Sequence, residues 1–73
     1  MTEKEMFNKA VAISYQFRKA LKDRADSGVN FTSEEVMAES NKMLTAIKEG
    51  GPEFEKFLFS NEEWFEEATR LLE

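Results

Sequence analysis

The amino-acid sequence predicts an all-α protein, a small bundle of three main helices with one shorter helix or turn. Three observations support this fold class: a helix-start pattern that occurs three times, apolar residues at helical spacing, and glycine or proline between the helical segments. A chain of 73 residues has the length of one small domain, so we expect residues 1–73 to form a single helical domain.

The helix-start pattern is a hexamer with an apolar residue at each end, a hydroxyl residue second and a glutamate fifth. The hydroxyl can accept a hydrogen bond from the backbone three residues on, and the glutamate can reach back, as in a capping box. The two apolar residues have the spacing of a hydrophobic staple. Because the residues after each copy differ, we interpret the hexamers as helix starts and not as a functional repeat. The copies are MTEKEM (1–6), FTSEEV (31–36) and FSNEEW (59–64).

The first predicted helix covers residues 3–25 and the second covers residues 33–49. Gly28 favours the end of the first helix, because glycine readily adopts the left-handed conformation that follows many helices. The GGP sequence at residues 50–52 should end the second helix, since it cannot continue a regular helix at low cost. Each helix has one apolar face, formed by Met6, Phe7, Ala10, Val11, Ile13, Phe17, Ala20 and Leu21 on the first and by Val36, Met37, Met43, Leu44 and Ile47 on the second.

The remaining segments are a short helix or turn at about residues 52–58 and a helix over residues 61–72. The shorter segment is ambiguous, because its aromatic residues fit both helical and alternating spacing. We favour a helix or turn, since the chain offers no second strand for pairing. In the last helix, Glu66 and Arg70 have the order of a favourable i,i+4 ion pair. The apolar face of this helix comprises Trp64, Phe65, Ala68, Leu71 and Leu72.

The composition argues against several classes of function. The chain contains neither cysteine nor histidine, so it lacks disulfides, Cys/His metal sites and the usual nucleophile and proton shuttle of enzymes. We therefore expect a protein that is not an enzyme and that binds no cofactor or metal. The formal net charge of −5 disfavours direct binding to nucleic acids and to anionic membranes.

The predicted location follows from the absence of two sequence signals. No apolar run approaches the length of a membrane span. The opening residues, MTEKEMF, lack the basic-then-apolar order of a signal peptide. We therefore expect a cytoplasmic protein with no membrane partner, in a cell or in an infected host.

Two features around the first helix suggest alternative sites. Residues 23–34, DRADSGVNFTSE, match a calcium-binding loop at four positions, but Ala25 and Phe31 stand where side-chain oxygen ligands are needed. We therefore expect an ordinary loop. A basic edge of the helix is expected to face the acidic C-terminal segment or water, and it comprises Lys4, Tyr15, Arg18 and Lys22.

The C-terminal third combines aromatic residues with an excess of carboxylates. Residues 52–73 carry seven glutamates against Lys56 and Arg70, a balance of −5. Two interpretations of the aromatic rings stay open: they complete the core, or some are exposed as anchors of a protein interface, where aromatic residues are enriched. The rings are Phe54, Phe57, Phe59, Trp64 and Phe65.

We favour a small acidic interaction module that binds another protein, one with a basic groove, and modulates or inhibits it. Small acidic proteins of this kind are common among accessory factors of viruses and mobile elements. The alternatives are an assembly subunit that acts as a homo-oligomer and an inhibitor that imitates nucleic acid. The predicted partner-binding residues are Phe57, Phe59, Trp64 and Phe65 as anchors, with Glu63 and Glu67 as steering charges.

Overall fold

The computed structural model describes residues 1–28, 30 and 32–73, and over these residues the chain is helical without a strand. The described residues form four helices: α1 (Glu3–Asp26), α2 (Ser33–Glu49), α3 (Gly51–Ser60) and α4 (Glu63–Leu72). The predicted all-α bundle is confirmed. The division into three main helices and one minor segment needs correction, because α3 and α4 each contain 10 residues.

Helix α1 begins as its sequence predicts. The N–H of Glu5 donates to Thr2 Oγ1 at 3.1 Å, and the N–H of Thr2 donates to Glu5 Oε1 at 3.3 Å, which completes the capping box. The helix continues to Asp26, one residue beyond the predicted end. Gly28 then adopts a φ of +76°, the left-handed conformation that the sequence predicts at this position.

Helix α2 contains half of its predicted capping box. The Thr32 hydroxyl accepts the N–H of Glu35 at 3.2 Å, but the Glu35 carboxylate pairs with Arg24 of α1. Arg24 donates from Nε to Glu35 Oε2 at 2.8 Å and from Nη2 to Oε1 at 2.5 Å. This two-point ion pair joins the end of α1 to the start of α2. The predicted staple between Phe31 and Val36 lies outside the described residues.

The two glycines at residues 50–51 separate α2 from α3 as predicted. Helix α2 ends at Glu49, and Gly51 has a φ of +85°, which residues with a side chain rarely adopt. Pro52 lies in the first turn of α3, where a missing N–H removes no hydrogen bond of the helix.

The third predicted helix start is wrong. Ser60, the predicted capping residue, is the last residue of α3, which extends beyond the predicted segment 52–58. Asn61 has an extended backbone, with φ −133° and ψ 134°, and interrupts the helical chain. Helix α4 then begins at Glu63 without a side-chain cap.

Side chains at this junction cap α3 at its end and do not cap α4 at its start. The Asn61 side-chain amide donates to the carbonyl oxygen of Phe57 at 3.0 Å. Trp64 Nε1 donates to the carbonyl oxygen of Leu58 at 3.2 Å. The last carbonyl groups of a helix have no partner within it. These two bonds therefore satisfy the end of α3 and explain why the third hexamer does not act as a helix start.

Helix α1 packs against each of the other helices, most extensively against α4. Three small side chains on these two helices are buried, Ala10 and Ser14 of α1 and Ala68 of α4. Small residues allow two helices to approach closely. Among the residues that the structure describes, Phe54 of α3 is the one large side chain that is fully buried. The core is therefore small, and most apolar side chains are only half-buried.

The basic edge of α1 faces α4 in part. Arg18 Nη1 donates to Thr69 Oγ1 at 2.7 Å, and Lys22 Nζ donates to the carbonyl oxygen of Leu72 at 3.0 Å. The sequence predicts that this edge faces either the acidic C-terminal segment or water. Arg18 and Lys22 make the first of these contacts.

Candidate protein-interaction groove

An apolar depression lies where side chains of all the described helices converge. Its volume is about 360 Å³, and it is open to solvent on one side. The depression is lined mainly by apolar side chains, with the Arg18 guanidinium at its border. These apolar side chains are Ala10, Ile13, Phe17, Met43, Ile47, Leu58, Trp64 and Phe65.

A second depression, of about 280 Å³, continues the first across α2 and α3. The two depressions adjoin, and we call them together the apolar groove; the residues that line both are Met43, Ile47, Leu58 and Trp64. The second part adds Leu44, Lys48, Glu55 and Phe59.

The α1 and α2 walls of the groove follow from helical spacing. Ile13 and Phe17 are four residues apart on α1, and Met43 and Ile47 are four residues apart on α2. Residues four apart lie on the same face of a helix. These side chains are half-buried, so the groove consists of those parts of the predicted apolar faces that helix packing leaves uncovered.

The two aromatic rings of α4 are held in place by bonds and ring contacts. The indole of Trp64 donates to the Leu58 carbonyl oxygen, and its ring meets the Phe65 ring edge-on, with centroids 6.0 Å apart. The Arg18 guanidinium lies 4.6 Å from the centre of the Phe65 ring, a cation–π distance. The groove therefore has a defined aromatic wall.

The groove carries exposed apolar side chains on its rim. Phe59 is 85% exposed, so the predicted staple with Trp64 does not bury its ring. Phe65 is 50% exposed and Leu44 is 49% exposed. Contiguous exposed apolar surface with a polar border is typical of interaction sites on proteins.

Charged side chains of both signs border the groove. Glu55 of α3 borders its second part, and Glu62 and Glu66 border an adjoining depression of about 410 Å³ beside α4. The cations at the border are Arg18 of α1, which lies against the Phe65 ring of α4, and Lys48 of α2. The three carboxylates at or beside the groove therefore all belong to α3 and to the start of α4.

Three of the six predicted partner-binding residues meet at the groove: Phe59, Trp64 and Phe65. Phe57 is half-buried and lies outside the groove. Glu63 is exposed and also lies outside it. A binding role for each of these residues stays a prediction.

Glu67, the second predicted steering charge, forms an ion pair within α4. Arg70 Nη2 donates to Glu67 Oε2, so the observed pair replaces the predicted one between Glu66 and Arg70. This hydrogen bond and the negative charge of Glu67 raise the pKa of the Arg70 guanidinium. Part of the Glu67 charge is thereby neutralised within the chain.

Sequence reasoning did not identify the groove residues of α1 and α2 as a binding surface. Met43, Ile47 and Phe17 have the helical spacing of core residues, and this spacing does not reveal whether a neighbouring helix covers them.

The described residues also bear on calcium, metal and membrane-spanning sites. Residues 23–26, which would supply the first four positions of a calcium-binding loop, form the last turn of α1. Within the described ranges, no three Asp, Glu, His or Cys side chains come together as metal ligands. None of the helices described by the structure combines the length and the apolar composition needed to cross a bilayer.

Comparison with known proteins found no match to a family model, to a curated protein or to a solved structure. The groove and its charged border are therefore the observations from which a function can be argued.

Proposed function

We propose that the chain is a small acidic protein-interaction module, which binds a partner protein through the apolar groove and thereby modulates or inhibits it. The observation that supports this function best is the apolar groove with exposed rings at its rim. Phe59 and Phe65 present aromatic surface to solvent, and Trp64, which lines both depressions, is positioned by its hydrogen bond. Aromatic side chains of this kind are the usual anchors of protein interfaces.

The accessible surface of the chain is larger than its mass predicts. A folded monomer of 8.5 kDa exposes about 4,700 Å² by the usual scaling with mass, whereas this chain exposes 5430 Å². The excess of roughly 700 Å² is close to the area of about 800 Å² that one partner contributes to a protein–protein interface of standard size.

Charge favours a different protein over a second copy of the chain. Residues 52–73 carry a balance of −5, with Glu55 at the groove and Glu62 and Glu66 at the adjoining depression. Two copies that met across this face would bring like charges together, which costs free energy.

The carboxylates also flank apolar surface and do not form the long row that would imitate a nucleic acid.

Site-specific photocrosslinking tests this function. A benzoylphenylalanine replaces Leu44 at the groove in one variant and Leu71 in the matched control, since Leu71 is 55% exposed and lies outside the groove. In extracts of the cell that naturally produces the chain, we expect one protein to crosslink from position 44 and not from position 71.

Binding of the purified partner then measures the contribution of the groove. We expect Phe59→Ala and Leu44→Ala to weaken binding by about tenfold or more, as at interface anchors, with Leu71→Ala close to wild type. Circular dichroism confirms that each variant is folded. Equal affinity of all variants for the captured protein would contradict the proposal.

A further inference from the structure

We infer that the groove receives an amphipathic α-helix of the partner, with basic residues along the flank that faces α3 and α4. This inference rests on the proposed function and names the chemistry of its ligand. Such a helix would present apolar residues at positions i, i+3, i+4 and i+7 to the groove, the common pattern of helix-in-groove recognition.

The walls of the groove favour a helix over an extended segment. Within the described part of the chain the walls are helical, and no sheet edge is present to pair with an incoming strand. An extended segment would leave its backbone N–H and C=O groups without partners against apolar surface, which costs free energy for each group. A helix satisfies these groups internally and can place its side chains in the groove.

The arrangement of the wall residues also fits a helix. Ile13 with Phe17, and Met43 with Ile47, form rows with the i,i+4 spacing of one helical turn. Side chains of an incoming helix have the same spacing, so they can pack between these rows as ridges pack into grooves. An apolar stripe of two turns, from i to i+7, spans about 10 Å.

Charge decides which helix is favoured. Glu55, Glu62 and Glu66 are exposed, and among the residues described none of them forms an ion pair. Of the two cations at the border, Arg18 is already occupied by Thr69 and the Phe65 ring of α4, and Lys48 of α2 is exposed and forms no ion pair within the described residues. Lysine or arginine on the flank beside α3 and α4 would therefore meet carboxylates without partners, and acidic residues there would be repelled.

Fluorescence of Trp64 provides a direct test, because this residue is the single tryptophan of the chain and lines the groove. The probes are three tryptophan-free peptides of about 18 residues, a length suited to helix formation. The first is a Leu/Ala/Lys amphipathic helix, the second has the same composition in an order without helical periodicity, and the third has glutamate in place of lysine.

We expect the first peptide to change Trp64 emission with a saturable curve. The other two should bind at least about tenfold more weakly, which corresponds to about 1.4 kcal/mol. Glu55→Gln should weaken binding of the first peptide, and Glu53→Gln, which changes net charge equally outside the groove, should not. Equal binding of the scrambled peptide, or no saturable change with the first, would overturn the inference.

Two further results separate this inference from the proposed function. If the protein crosslinked from position 44 contacts the groove through a segment that is extended or acidic, the inference fails and the proposed function stands. If light scattering shows a dimer and Trp64 emission changes when that dimer dissociates, the occupant is a second copy, and both proposals fail. Crosslinking to a basic helical segment would support both.

Discussion

The backbone of Gly50 lies directly against the side chain of Phe54. A Cβ atom placed on Gly50 would lie 2.7 Å from Cγ and 2.9 Å from Cβ of Phe54, closer than real side chains approach. Phe54 is 0% exposed and is the largest fully buried side chain. The absence of a side chain at the α2–α3 junction is therefore what makes room for the central ring of the core.

Gly50→Ala should destabilise the chain by about 1–3 kcal/mol, the usual cost of overpacking a core. The backbone of Gly50 has φ −73° and ψ −16°, which alanine adopts readily, so the cost comes from the contact with Phe54 and not from backbone strain. Urea unfolding followed by circular dichroism gives the change in the free energy of unfolding.

A double-mutant cycle provides the control for this substitution. In a Phe54→Leu background the shorter side chain leaves space, so Gly50→Ala should cost less there than in the wild type. Gly28→Ala serves as a second comparison, because Gly28 has open space around it but a φ of +76°, and its cost reflects strain alone. An identical cost of Gly50→Ala in both backgrounds would disprove the steric explanation.

Thr2→Ala and Ser60→Ala should have different effects although the sequence predicts the same role for both residues. Thr2 caps α1, so its substitution should cost about 0.5–1 kcal/mol and speed amide exchange in the first turn of α1. Ser60 lies inside α3 and caps nothing, so Ser60→Ala should change the free energy of unfolding by less than about 0.5 kcal/mol. If Ser60→Ala lowers the free energy of unfolding as much as Thr2→Ala does, Ser60 has a capping role that the structure does not contain.

The contrast between these two residues shows what the sequence could predict. A capping box depends on residues within one helical turn, so the pattern at residues 1–6 was sufficient to locate the start of α1. The pattern at residues 59–64 is chemically the same, but Asn61 and Trp64 bond to the end of the preceding helix. Whether residues 59–64 start a helix therefore depends on the presence of α3, which the sequence left ambiguous.

The burial of the aromatic rings could not be predicted from spacing. Phe54 and Phe59 are five positions apart and point to different sides of α3, at about 140° on a helical wheel. One side must face the core, but the sequence of α3 alone does not indicate which. The space above Gly50 determines that Phe54 is buried, and Phe59 is left exposed at the groove.

The N-terminal cap should respond to acid. The pKa of Glu5 is lowered from its ordinary value of 4.5, first because its carboxylate accepts the backbone N–H of Thr2 and second because of its bond with the Thr2 hydroxyl. A carboxyl group with a lower pKa in the folded chain contributes stability that is fully present above pH 4.5 and is lost as pH falls through the folded value.

An NMR titration measures this effect directly. The Glu5 carboxyl carbon should titrate with a midpoint below 4.5, and the amide of Thr2 should shift with the same midpoint. In Thr2→Ala the side-chain bond is lost, so the midpoint should move back toward 4.5. A wild-type midpoint at or above that value would show that the capping box does not form in solution.

Arg18 should stabilise the contact between α1 and α4 through the shape of its guanidinium as well as its charge. It donates to Thr69 Oγ1 at 2.7 Å and lies 4.6 Å from the centre of the Phe65 ring. Arg18→Met keeps a long apolar side chain but removes both interactions, so it should lower the free energy of unfolding by about 1 kcal/mol. Arg18→Lys keeps the charge but cannot stack as a plane on the ring, so it should recover only part of that loss.

The separate contributions of the two contacts can be measured with double-mutant cycles. We expect a coupling of about 0.5–1 kcal/mol between Arg18→Met and Phe65→Leu, the range for a partly exposed cation–π pair. Thr69→Val removes the hydroxyl that accepts from Arg18 and that itself donates to the carbonyl oxygen of Phe65 at 2.9 Å, so only its coupling to Arg18→Met reports the bond between Arg18 and Thr69. Because the Phe65 ring forms part of the groove wall, its release in Arg18→Met should also alter Trp64 emission through the edge-on contact. Wild-type stability of Arg18→Lys together with zero coupling to Phe65 would show that the guanidinium does not hold this wall in place.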